Sequence, residues 1–76
     1  MAIFSEVKKV DESEQEVRYS FSNGIDAERF LILDKINEKL HPEDGIENVV
    51  YRAVARKIAT AWIREGKAPE RLTVNS

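Results

Sequence analysis

The chain has 76 residues, 12 basic and 14 acidic, with one histidine, no cysteine and a net charge of −2. That is the length of one domain, near the size where a single core supplies only a few kcal/mol of net stability, and no disulfide or cysteine-metal staple is on hand to add to it. A hydrophobic fraction of 42% beside 34% charged residues is too apolar for a fully disordered chain and fits an ordinary soluble domain.

The modest net charge hides a polarity. Residues 1–50 hold six basic groups against twelve acidic ones, net −6, whereas residues 51–76 hold Arg52, Arg56, Lys57, Arg64, Lys67 and Arg71 against Glu65 and Glu70, net +4. Such asymmetry bears on partner choice and solubility, not on fold.

The N-terminal segment MAIFSEVKKV lacks the basic-then-apolar layout of a secretory signal. No apolar run approaches the roughly 18 residues of a membrane span, so a cytoplasmic protein with no membrane partner is expected. Residues 2–10 alternate loosely and read as a first strand; residues 15–22 alternate cleanly, with Val17, Tyr19 and Phe21 on one face, and read as a second. Pairing Val10 with Glu16 would set Val7 opposite Tyr19 and Ser5 opposite Phe21. Between the two runs, the acidic stretch DESEQE lacks the glycine and the ligand spacing of a calcium loop and reads as a solvated turn.

Asn23-Gly24 marks the next turn, since both residues tolerate positive φ. A four-residue loop, Asn23 to Asp26, sets Tyr19 opposite Phe30 and Val17 opposite Ile32 and gives a third strand over residues 28–34. In that register Leu31 and Leu33 point to the opposite sheet face, beside Arg18 and Glu16, as leftover apolar surface for a dimer or partner contact. A rival reading makes residues 27–40 a helix capped by Asp26, with Phe30, Leu33, Ile36 or Asn37, and Leu40 on its buried stripe; the turn signal and the pairing with the preceding strand favour the strand. Residues 35–41 are then a connection ending at His41, a solvated loop histidine whose neighbours Glu43 and Asp44 make a poor metal set.

A helix over about 45–65 is the strongest element. Asp44 and Glu47 have capping-box spacing, Gly66 can adopt the left-handed stop, Arg64 lies in the last turn and Pro69 blocks continuation. Val50, Tyr51, Val54, Ile58, Ala61 and Trp62 share one side, and Arg52, Arg56, Lys57 and Arg64 another. Residues 67–76 show no helical pattern and are expected to form a partly ordered tail.

The expected fold is therefore α+β, a single small domain over residues 1–76 in which a three-stranded antiparallel β-meander packs against one long C-terminal amphipathic helix. Short bacterial proteins have a similar layout, a resemblance that implies no chemistry. No catalytic constellation, metal cluster or nucleotide loop is present, so neither an enzyme nor a bound cofactor or metal is expected. Tyr19 and Phe21 could stack bases, but their alternation with polar residues is the pattern of core burial. What remains is a non-catalytic protein-interaction or regulatory module, of a size and acidity that suit an inhibitor or immunity-type protein. It would bind a partner protein or a second copy as a homodimer, through the acidic loop and the sheet-face residues Leu31 and Leu33, or through the basic helix with Arg52, Arg56, Lys57 and Arg64, Trp62 being the anchor if exposed. The alternative is a nucleic-acid-associated regulator using the same basic face with Lys67, although a negative net charge and the lack of a preceding helix-turn argue against it.

Overall fold

Alternation of apolar and polar residues decides the sheet, and it runs further along the chain than the three expected strands. In the computed structural model, which describes residues 4–25 and 27–75, the elements are β1 (Phe4–Glu12), β2 (Glu16–Ser22), β3 (Arg29–Asp34), β4 (Lys39–Pro42), α1 (Val49–Glu65) and β5 (Arg71–Asn75). The fold is α+β: one helix on a five-stranded antiparallel sheet of order β4-β3-β2-β1-β5. Strands β1 to β4 form a meander. Helix α1 then carries the chain across one sheet face, and β5 pairs with β1 at the far edge. The start of the expected first strand, and Asp26 as loop residue or cap, lie outside the described residues.

Two registers differ from expectation. Along β1 and β2, Val7 faces Phe21 and Lys9 faces Tyr19, because an irregularity between Lys9 and Asp11 takes Val10 out of the ladder. Along β2 and β3, Tyr19 faces Leu31 and Val17 faces Leu33. The connection is one residue longer than the four-residue loop, so Phe21 pairs with Arg29 where the shorter loop would give it Glu28. A slip of one residue turns every side chain over. Leu31 and Leu33, expected on the outer face, are consequently core residues, 0% and 2% exposed, and Phe30 and Ile32, expected in the core, take the outer face.

The helical reading of residues 27–40 is overturned by the β3–β4 hairpin. Asp34 Oδ1 accepts from the backbone N–H groups of Ile36 and Asn37, both at 3.0 Å, and Glu38 takes a φ of 55°. In β4 Leu40 then faces Leu33 and Pro42 faces Leu31, while His41 is an exposed strand residue opposite Ile32 and not a loop histidine.

Helix α1 begins at Val49, about a turn later than expected, because Asn48 and not Asp44 is its cap. Asn48 Oδ1 accepts from Tyr51 N–H at 2.9 Å. Asp44 is held elsewhere by Arg29, whose Nε donates to Asp44 Oδ2 at 2.8 Å and whose Nη2 donates to Oδ1 at 3.1 Å. The same guanidinium reaches Asn48 Oδ1 at 3.0 Å and the Ile46 carbonyl at 2.7 Å, so one arginine of β3 fixes the approach to the helix. The C-terminal end follows the sequence: Gly66 has φ 71° and donates to the Trp62 carbonyl at 2.9 Å, and Arg64 lies in the last turn.

Tyr51, Val54, Ile58 and Ala61 of α1 pack on Val7, Val17, Tyr19, Phe21, Leu31 and Leu33 of the sheet. The expected tail completes this core. Leu72 faces Val7, Val74 faces Ser5, and Ala68 and Val74 are buried. Tyr19 Oη donates to the Pro69 carbonyl at 2.7 Å, which ties the linker after α1 to the central strand, and burial pushes this phenol well above its ordinary value. No helix among the described residues is long and apolar enough to cross a membrane.

Four carboxylates are held below their ordinary values by partners that recognise the charged form. Lys35 and then Lys9 bond Glu12, the side chain and then the backbone of Asn37 bond Asp34, Arg18 bonds Glu43, and Arg29 followed by Ile46 N–H bonds Asp44. A depressed folded value adds stability that is present above the unfolded value and lost as pH falls through the folded one. Thermal midpoints are thus expected to hold steady from neutrality down to about pH 5 and to fall progressively below the ordinary values of 4.5 for Glu and 3.8 for Asp. Circular dichroism melts of the wild type and of Asp44→Asn check this: the variant should start lower at neutral pH and lose less on acidification.

Candidate binding surface along α1 and β5

Ten of the twelve basic residues divide into two sets; the other two, Lys8 and Lys39, are exposed on the sheet and form no ion pair among the described residues. Lys9 pairs with Glu12 at 2.6 Å and Glu70 at 3.3 Å, Arg18 with Glu43, Arg29 with Asp44, and Lys35 with Glu12. Arg52, Arg56, Lys57, Arg64, Lys67 and Arg71 form no ion pair among the described residues, and all six are exposed. The acidic excess of the first fifty residues is therefore spent on the sheet's own cations and on solvent. The positive charge of the last third faces outward.

Helical geometry aligns that charge. Arg52, Arg56, Thr60 and Arg64 recur every fourth residue, about 6 Å apart along the axis, with Lys57 beside them. Two exposed apolar side chains, Val49 and Ile63 (78% exposed), lie on the same solvent side of the helix. Between α1 and β5 runs an open groove of about 460 Å³, lined by Lys57, Thr60, Ala61, Arg64, Glu65 and Leu72. Lys67 and Arg71 continue the positive strip below it, next to Pro69 and Glu70.

Of the residues expected to bind a partner, Arg52, Arg56, Lys57 and Arg64 are brought together here. Trp62 is not among them. It sits half-buried against the core on the other flank of α1, where its Nε1 donates to Glu38 Oε2 at 3.2 Å and ties the helix to the β3–β4 turn. Leu31 and Leu33, sealed beneath α1, have no surface to offer a partner.

The opposite sheet face is covered by no second layer. It carries Phe4 (45% exposed), Glu6 and Lys8 of β1, Arg18, Ser20 and Ser22 of β2, and Phe30 and Ile32 of β3. The two serines leave a shallow depression of about 260 Å³ bounded by Phe4, Lys8 and Glu28. Elsewhere on this face Arg18 lies 4.0 Å over the Phe30 ring while it bonds Glu43 Oε1 at 3.0 Å. This face is mixed in charge, with Arg18 paired to Glu43 and with Glu6, Lys8 and Glu28 beside it. Among the described residues no three His, Cys, Asp or Glu side chains converge as metal ligands.

Sequence reasoning found the basic row because a period of four survives any error in the sheet. It missed Arg71, Leu72 and the groove, which exist only because RLTVN is a strand; the alternation of Leu72 and Val74 was the available signal. No family model, no curated protein and no solved structure matches this chain.

Proposed function

We propose that the chain is a non-catalytic protein-binding module that engages its partner through the basic surface of α1 and β5. The observation that carries this reading is the clustering of charge: Lys57 and Arg64 flank a groove floored by Ala61 and Leu72, with the exposed, unpaired Arg52, Arg56, Lys67 and Arg71 on the same helix and the segment after it, while four of the six cations of the first fifty residues are already paired. Apolar floor with a charged rim is the anatomy of a protein interface, whereas phosphate binding alone has no use for the floor.

A nucleic-acid-associated role on the same residues is the second reading, favoured by the even spacing of Arg52, Arg56 and Arg64. Capture from a lysate of the native host separates the two, with tagged wild type compared with Arg52→Glu/Arg56→Glu and Lys57→Glu/Arg64→Glu, before and after nuclease. One stoichiometric protein retained after nuclease, and lost from the Lys57→Glu/Arg64→Glu variant, is the expected result. Recovery of nuclease-sensitive nucleic acid alone, weakening steeply with salt, would replace the protein-binding reading with the second one.

A further inference from the structure

The open edge of β5 and the groove beside it form one continuous receptor surface. Strand β5 is the last in the sheet and pairs on one side only, with β1. Its orientation follows from a single bond: Lys9 N–H donates to the Glu70 carbonyl at 2.9 Å, and Lys9 stands one step beyond the Lys8–Arg71 pair. Backbone groups alternate in direction along an antiparallel strand, so those of Glu70, Leu72 and Val74 turn toward β1. Those of Arg71 and Thr73 turn outward, with no strand beyond them among the described residues.

The two sheet edges are not equivalent. At the far side β4 has four residues and ends in Pro42, a short edge containing a residue that cannot donate. In β5 there are five residues with no proline, and its ladder with β1 runs without a bulge from Phe4–Asn75 to Lys8–Arg71. Its guard is charge alone: Arg71 on the outer sheet face, Lys57 and Arg64 above the groove on the helix side.

We propose that β5 receives an extended acidic segment of a partner protein as a sixth strand, with main-chain hydrogen bonds to Arg71 and Thr73 and alternate side chains seated in the α1–β5 groove. The proposal rests on the protein-binding reading above and names the chemistry of the partner. Side chains of an added strand point alternately to the two sheet faces. Those on the helix side meet Ala61 and Leu72 between Lys57 and Arg64, which suits a small apolar residue flanked by carboxylates; those on the outer side meet Arg71. Glu65 is the one acid in the groove wall, against Lys57 and Arg64; just below it Glu12 and Glu70 are paired with Lys9, which leaves Lys67 and Arg71 as unpaired cations there.

A second copy is the wrong occupant. Two-fold antiparallel pairing of β5 with β5 keeps both α1 helices on one sheet face and turns the Lys57 and Arg64 side of each copy toward the same side of the other, so like charges accumulate across the seam.

The test uses the full chain labelled with nitrogen-15 and a short blocked peptide alternating Glu with Val. Its controls are the same peptide with Lys for Glu, the acidic peptide N-methylated at every second residue, and a DNA duplex. Saturable binding of the acidic peptide is expected, with slowed hydrogen exchange at the Arg71 and Thr73 amides. The Lys peptide should not bind, and N-methylation or the Lys57→Glu/Arg64→Glu variant should each weaken binding at least about tenfold. The proposal is overturned if millimolar acidic peptide leaves those two amides unprotected, if N-methylation has no effect, or if DNA alone binds and shifts Arg52 and Arg56. Thr73→Pro separates the two levels of argument, because it removes an outward N–H without touching a β1 bond. A captured partner that survives Thr73→Pro but is lost from Lys57→Glu/Arg64→Glu sinks strand addition and leaves the binding module standing; failure to capture any protein sinks the module itself.

Discussion

Leu31→Ala is expected to destabilise the fold by about 3 kcal/mol, and Ile32→Ala by less than about 1 kcal/mol. Both are β3 residues of equal volume, adjacent in sequence, and only the register separates them. Leu31 is fully buried between Tyr19 and Pro42 beneath α1, so its removal leaves a cavity that the sheet cannot close. Ile32 lies on the uncovered face between Arg18 and His41, where solvent and the neighbouring arginine can fill the space. A domain of this size has roughly 4–11 kcal/mol in total, so the first substitution removes a large share and the second a small one. Urea unfolding of the two variants reads this directly, with m held constant. Equal losses, or a larger loss at Ile32, would mean that the β2–β3 loop has four residues and that the outer face of the sheet is its inner one.

That contrast also shows where the sequence was readable. The period of α1 is carried by 17 residues and its end by Gly66, so the basic row and the apolar stripe survive any local ambiguity. Strand β2 is equally plain in Val17, Tyr19 and Phe21. The face of β3, by comparison, depends on one residue of loop length, and both candidate registers bury a respectable apolar pair. Four- and five-residue strands such as β4 and β5 contain too few periods to stand out from a connection or a tail. The helix start was misplaced for a different reason: Asp44 and Asn48 are both good caps, and what decides between them is Arg29, a partner 15 and 19 residues away that takes Asp44 into an ion pair and, by also donating to Asn48 Oδ1, holds that oxygen where Tyr51 N–H reaches it. The binding surface inherits these limits. Its helical half was legible, and its strand half required β5.

Removing residues 71–76 is expected to abolish cooperative folding, and Val74→Asp to come close to doing so. The last strand contributes Val74, 5% exposed, over the buried Ser5, and Leu72 over Val7. Burying a side chain of this kind stabilises by about 1.5–3 kcal/mol, somewhat less for the half-buried Leu72. Loss of the pair with the β1–β5 ladder therefore reaches about 4 kcal/mol, the lower bound of what a domain of this size possesses. Each kcal/mol shifts the midpoint of such a domain by about 4–8 °C, so any truncated chain that still folds should melt at least about 15 °C lower. The aspartate acts by another route, since a carboxylate placed at the buried Val74 position loses its hydration and must be protonated or expelled. Thr73→Ala, on the exposed side of the same strand, is the control and should change the midpoint little. Far-UV circular dichroism on the truncated chain decides the matter. A melt close to that of the full chain would make β5 peripheral, hand the open edge of the sheet to β1, and detach Arg71 and Leu72 from the receptor surface that α1 now shares with them.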